Sequence, residues 1–250
     1  MAQATVRRRA SQNGTMRTSS VFAEHLPHVF PYRFAGTLHV DRIAGGTPSD
    51  PDVAAAWIRS KGYKDIKDQL IVDEVAKIMD ERGMDEADAV EELTRRRHLS
   101  GFKRDPEYGL YIEGRQLKAC LKEAAGIALA ADKLPKRWGT THKGCIGFVT
   151  EHINVVEYRL YLGVLEPSEV VQGFVHTFRG SGIQYAEIVN DAEISFTVES
   201  DYEFSEKEWA TLWLTAERAG LGAGRSQGNG RFQVVSWERV SARRRKAVTA

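Results

Sequence analysis

The sequence predicts an α+β fold with a βαββαβ core, and three observations carry that prediction. Tyr32–Val40 alternates Tyr32, Phe34, Gly36, Leu38 and Val40 with Arg33, Ala35, Thr37 and His39, the period-two pattern of a half-buried strand. Gly114–Ala131 and Ser205–Ala219 carry apolar residues at helical spacing. Phe148–Leu165, Val170–Phe178, Ile188–Glu199 and Phe232–Val240 are rich in β-branched and aromatic residues and read as strands. In chain order these give strand, helix, strands, helix, strand. That is the ferredoxin-like, or RNA-recognition-motif-like, topology.

Each element has its own signal. Residues 1–28 are polar and rich in Ser, Arg and Gln, and read as a flexible basic tail ahead of a domain over 29–240. Ala44-Gly-Gly-Thr-Pro48 ends the first strand. Residues 49–98 read as a helical insertion after that strand. It comprises a short helix at Val53–Ser60, a longer one at Ile66–Arg82 and a third at Asp85–Arg97, with Asp85 as its N-cap. Phe102–Ile112 reads as a loop entering a short extended piece. The helix Gly114–Ala131 turns Leu117, Leu121, Ala124, Ala125 and Ala128 inward. Lys133–Gly147 reads as a basic loop, and Glu166-Pro-Ser as a turn. In the last helix Ser205 and Glu208 form a capping box before Trp209, Leu212, Trp213 and Ala216. Residues 241–250 form a basic tail.

Composition narrows the function classes. Hydrophobic residues make up 42% of the 250 and charged residues 28%, as in soluble globular proteins. No apolar run approaches the roughly 20 residues of a membrane span, and the N-terminus lacks the apolar core of a signal peptide, so a cytoplasmic protein without membrane partners is expected. Cys120 and Cys145 are too few for a disulfide scaffold, and Cys120 falls at a helical core position. The seven histidines lack metal-ligand spacing, His25 and His28 included. No metal and no cofactor is therefore expected. Net charge is only +1, yet residues 47–93 hold 13 acids against six bases, while 94–148 hold 12 bases against five acids. A basic middle and basic tails beside an acidic lobe suit a polyanionic partner.

The densest chemical signal is Ala219–Val235, AGLGAGRSQGNGRFQVV, between a helix and a strand. Gly222, Gly224, Gly228 and Gly230 allow close backbone approach, while Arg225, Arg231 and Ser226 add donors for phosphate oxygens. No Gly-Lys-Ser/Thr follows, so it is not a Walker loop. It follows a helix and opens a strand, the reverse of a dinucleotide fingerprint. In the basic loop, Arg137, Trp138, His142 and Lys143 pair an aromatic with cations, and Trp138 either stacks on a base or tucks into the core.

Three segments together resemble the RAMP superfamily of CRISPR-associated proteins, specifically the guide-RNA-coating backbone subunits of type III-like class 1 effector complexes. GTLHVDRIAGGTP (Gly36–Pro48) resembles the first strand and its glycine loop, with Gly45 and Gly46. RDPEYGLYIEGRQLKACL (Arg104–Leu121) resembles the basic-Asp-Pro turn and the Tyr-Ile-Pro-Gly-Ser-Ser-Leu-Lys-Gly helix start. GLGAGRSQGNGRF resembles the C-terminal glycine loop and final strand. Together they span about a quarter of the chain. The chain departs at the helix start, where Glu113 stands at the proline, Arg115 and Gln116 at the serine pair, and Ala119 at the second glycine, while Gly114 and Lys118 remain.

The resemblance implies a subunit that binds guide RNA through the helix start, the glycine loops and the basic residues named above. Its implied partners are guide RNA, copies of itself along that RNA, other effector subunits, and target RNA or DNA paired to the guide. Cleaving relatives carry an aspartate shortly before the basic-Asp-Pro turn. The matching place here is near Leu99, in RRRHLSGFKRDP, where no carboxylate stands, so binding is expected rather than cutting. The alternative is a catalytic RAMP endoribonuclease, cleaving target RNA or processing guide RNA, with His39 as general base and Asp50 and Asp105 as further candidates. A second alternative is an interaction protein on the same fold that binds no RNA.

Overall fold

The computed structural model describes residues 29–48, 66–177 and 180–240. Both basic tails, the expected helix Val53–Ser60, His25, His28 and Asp50 lie outside the described residues.

The core begins with β1 (Tyr32–Ala44), which runs on beyond Val40, where the alternation gives way to an exposed pair, Asp41 and Arg42, and a buried pair, Ile43 and Ala44. Leu38 and Val40 point inward, while Arg33, Thr37 and His39 occupy the other face. β2 (Thr47–Pro48) is a two-residue strand. Then come α1 (Ile66–Arg82) and α2 (Glu86–His98) of the insertion. Asp85 caps α2, its Oδ1 accepting the Asp88 amide at 2.9 Å. The two helices close on a small apolar cluster of their own, Val75, Ile78, Ala89 and Leu93.

β3 (Leu99–Gly101), β4 (Lys103–Asp105) and β5 (Gly109–Glu113) follow, and β5 runs straight into α3 (Gly114–Ala130). All five inward residues expected of α3 are buried. After a single 3₁₀ turn at Lys136–Trp138 comes α4 (His142–His152). The expectation of a basic loop over Lys133–Gly147 and a strand from Phe148 is corrected here. The Thr141 hydroxyl accepts the Gly144 amide at 3.2 Å, and Cys145 and Val149, one helical turn apart, are both buried. Gly144 and Gly147 had suggested a loop because glycine disfavours helix, but tertiary burial outweighs that cost.

β6 (Ile153–Val155) and β7 (Arg159–Tyr161) then enter different sheets. β8 (Glu169–Thr177) and β9 (Gly180–Ser200) pair continuously from Glu169↔Ile188 to Thr177↔Gly180. The strand expected at Ile188–Glu199 is thus the distal part of a longer one. α5 (Glu206–Ala219) carries the expected capping box. β10 (Phe232–Arg239) completes the chain of elements.

The main sheet places β10, β1 and β9 side by side, all antiparallel, with β6 on the far edge of β9. Taking β1, α3, β6, β9, α5 and β10 as the six core elements, the order is fourth, first, third, second. This is the ferredoxin-like arrangement expected from the sequence, with the helical insertion after the first strand. α3 and α5 cover one face, and Leu38, Val40, Leu117, Leu121, Ile194, Phe196, Leu212 and Trp213 share one core beneath them. A separate three-stranded sheet, β4-β5-β7, sits at the entrance to α3.

Candidate functional site

The sharp geometry lies where β1 ends. Gly45 donates to the Glu187 carbonyl at 2.9 Å, and Ala223, from the glycine-rich loop, donates to the Ala44 carbonyl at 3.0 Å. The loop is therefore stitched along the strand end. Gly230 donates to the Arg42 carbonyl and Leu221 to the Gly230 carbonyl, each at 2.7 Å. A β-carbon on Gly230 would stand 1.8 Å from the Leu221 oxygen, and its φ is +79°. That position admits only glycine, because two backbones meet there.

Beside this junction lies a small surface cleft. Its lining draws on all three segments singled out in the sequence: Ala44, Gly46 and Thr47 from the first, Tyr111, Ile112, Glu113 and Gln116 from the second, and Gly222 from the third. Gly101, Phe102 and Lys103, just before the second segment, complete the wall. The Gln116 Oε1 atom is buried and has no hydrogen-bond partner among the described residues.

Glu113 dominates the electrostatics. It is the last residue of β5 and the N-cap of α3, yet its side chain caps nothing. Its carboxylate takes Lys103 Nζ on one oxygen and Arg115 Nε on the other, and the Tyr158 hydroxyl donates to it at 2.9 Å. The residue is only 4% exposed. These donors, Lys103 foremost, hold its carboxyl down at about 2 against the opposing effect of burial. The same carboxylate raises the Lys103 ammonium. Gly114 follows, donating to the Tyr158 carbonyl at 2.9 Å. A β-carbon there would meet the Glu157 oxygen at 2.1 Å, so glycine is required for the 157–158 segment to cross the helix start.

The other named residues divide. Arg115 is exposed beside the cleft. Arg225 Nη1 pairs with Glu123 Oε2 of α3 at 2.5 Å, and Ser226 shares its exposed 3₁₀ turn between Gly224 and Gly228. Arg231 is exposed just before β10. Lys118 does not line the cleft and donates instead to the Thr150 carbonyl of α4 at 3.0 Å. Trp138 is buried, its indole N–H donating to Glu208 Oε1 at 2.7 Å, which decides between its two sequence readings in favour of the core. Arg137 pairs with the same carboxylate at 2.7 Å. His142 and Lys143 are exposed at the start of α4, and the His142 ring lies over Gly126. None of these four residues lines the cleft.

The two catalytic candidates among the described residues, Asp105 and His39, are occupied. Asp105 Oδ1 accepts the Glu107 and Tyr108 amides at 3.0 and 3.1 Å, and Oδ2 meets Arg159. These contacts lower its carboxyl and make it the pin of the turn after β4. His39 Nε2 lies 3.3 Å from Asp41 Oδ1 and 3.5 Å from Asp191 Oδ1 on the open sheet face, and it does not line the cleft. Near Leu99, the buried Glu187 carboxylate is taken by the Phe102 amide and Arg104.

Sequence reasoning passed over Lys103, Arg42 and Tyr158. Arg42 holds the glycine loop through Asn229 Oδ1 at 3.1 Å. The available signal for Lys103 and Tyr158 was Glu113 itself, an acid standing at the place of the motif's proline. Among the described residues no set of three His, Cys, Asp or Glu side chains is arranged to hold a metal ion, and no helix is long and apolar enough to cross a membrane.

No family model and no curated protein matches the sequence. Among solved structures, a chain in the cryo-EM structure of the Type III-B Cmr-beta bound to cognate target RNA superposes with a TM-score of 0.47 and 13% identity. The match covers 87% of this chain but 63% of that one, so this chain spans less than two thirds of its length.

Proposed function

We propose that this protein binds single-stranded RNA along the cleft between the end of β1, the start of α3 and the glycine-rich loop. In the reading favoured by the three sequence segments, the RNA is a CRISPR guide. The chain is then a repeating backbone subunit of a class 1 effector complex that defends against foreign nucleic acid. One observation carries this reading: segments separated by some 70 to 180 residues, all singled out in the sequence, border a single cleft. Support also comes from Lys103 and Arg115 at that cleft, from Arg231 beyond it, and from the unfilled acceptor of Gln116. Cations would grip the RNA backbone with little sequence preference, and base pairing to the guide would read the target.

The test is purification of the full chain followed by extraction and sequencing of retained nucleic acid, with filter binding of single-stranded RNA over a salt series. Retained RNA of repeating guide-like sequence and a salt-dependent affinity are expected. A chain that carries no RNA and binds none at low salt returns the fold to the interaction-protein reading.

A further inference from the structure

We propose that Tyr158 is a nucleobase-stacking residue beside the cleft, held in place by the cleft-lining Glu113. The inference rests on the RNA-binding reading and names a contact that reading lacks. Tyr158 precedes β7, and the residue is 59% exposed. An exposed tyrosine ring is ordinarily free to swing, but this one is tied at both ends. Its carbonyl accepts the Gly114 amide and its hydroxyl donates to Glu113 Oε1, each at 2.9 Å. The ring is thus presented to solvent while its orientation is fixed, which lowers the entropy lost on binding.

Its neighbours specify the occupant. Lys103 and Arg115 share the Glu113 carboxylate with the Tyr158 hydroxyl, so an aromatic face and two cations converge within the span of one carboxyl group. An aromatic platform flanked by cations is what unpaired bases on a phosphate backbone require. The other rings of the small sheet are engaged. Tyr111 is buried with the Arg159 guanidinium 5.0 Å from its centroid, and Tyr161 packs between Tyr108 and Tyr111. The occupant is therefore one base of the bound strand, lying on Tyr158 as its phosphates pass Lys103 and Arg115.

The test uses the full chain with two probes of equal length, oligouridylate and an abasic oligomer, each titrated over a salt series. Tyr158→Ala should weaken oligouridylate about 10- to 100-fold without changing the salt slope, and should leave the abasic oligomer unaffected. Tyr158→Trp should restore binding. Tyr158→Phe, which keeps the ring and loses its tether, should fall between. Equal affinity of Tyr158→Ala and the parent for oligouridylate overturns the stacking assignment alone. So does an equal loss on both probes, which marks an electrostatic or structural role. A parent protein that binds neither probe overturns the RNA reading itself, and the stacking contact with it.

Discussion

The glycine-rich loop and the start of α3 border the same cleft but are built on opposite principles. The loop carries the louder sequence signal, yet its glycines serve mainly to let backbones meet: Gly230 against Leu221, Gly222 against the Ala44 carbonyl. One of its two arginines, Arg225, is tied to Glu123. The helix start carries a quieter signal, a departure from the pattern it resembles. There a buried acid organises two cations and an exposed ring. A run of glycines therefore reports crowding of main chain first and ligand approach only where a β-carbon would enter open space. A buried charge with several partners reports a site whose side chains are already aimed.

The largest expected effect separates crowding from ligand approach within the loop. Gly230→Ala would force a β-carbon onto the Leu221 oxygen at a left-handed φ, so a loss above about 4 kcal/mol is expected, read as a Tm fall of roughly 10 °C or more. Gly228 has φ +90° but open space around it, and Gly228→Ala should cost only about 1–2 kcal/mol. Gly228→Ala should lower RNA affinity by a larger factor than this modest stability change explains, and Gly228→Val, β-branched at the same φ, should melt lower still. Comparable melting of the Gly228 and Gly230 variants would erase the distinction.

Glu113→Gln tests the helix start. The folded carboxyl sits at about 2, below its ordinary 4.5. A lowered folded value means that this group's stabilisation is fully present above about pH 4.5 and is lost as pH falls toward 2. The parent should therefore lose Tm steeply over that window. Glu113→Gln should melt several degrees lower at neutral pH and show a flatter acid limb. Parallel Tm–pH curves for the two proteins would show that the carboxylate does not organise the site.

Legibility in the sequence followed the same physical divide. The core helices could be read because burial there is one-sided and periodic: Leu117, Leu121 and Ala124 in α3, Trp209, Leu212 and Ala216 in α5. The capping box of Ser205 and Glu208 is local chemistry and appears as written. α4 was hidden because two glycines mask a helix that long-range packing of Cys145 and Val149 sustains. The convergence of three segments was legible only as a list of motifs, since no local rule brings Gly46, Gln116 and Gly222 together. Glu113 was visible as an anomaly, but its meaning depends on Lys103 and on Tyr158, 45 residues downstream. Trp138 was ambiguous because its partner, Glu208, lies 70 residues away.

The smallest expected effects decide which cations would face RNA in the proposed complex. Lys103 lines the cleft, whereas Lys118, four residues into α3, is spent on the Thr150 carbonyl, and burial lowers its ammonium. Arg225 lies between these cases, on the glycine loop but paired with Glu123 across an exposed surface. An exposed pair of this kind contributes about 0–1 kcal/mol, so Arg225→Ala should barely move Tm. Each cation that does meet a phosphate adds about 0.7 to the slope of log affinity against log salt for a single strand. Lys103 is itself bound to Glu113, so Lys103→Ala should flatten that slope by about this amount only if RNA draws the ammonium off that carboxylate, and Lys118→Ala should leave it unchanged. Arg225→Ala should give the same reduction as Lys103→Ala only if RNA pulls the guanidinium away from Glu123. Glu123→Gln then supplies the control, since freeing Arg225 from its partner should raise affinity at low salt and lose that gain as salt rises. If Lys118→Ala flattens the slope and Lys103→Ala does not, the RNA runs along the α4 side of α3, and the cleft is not its path.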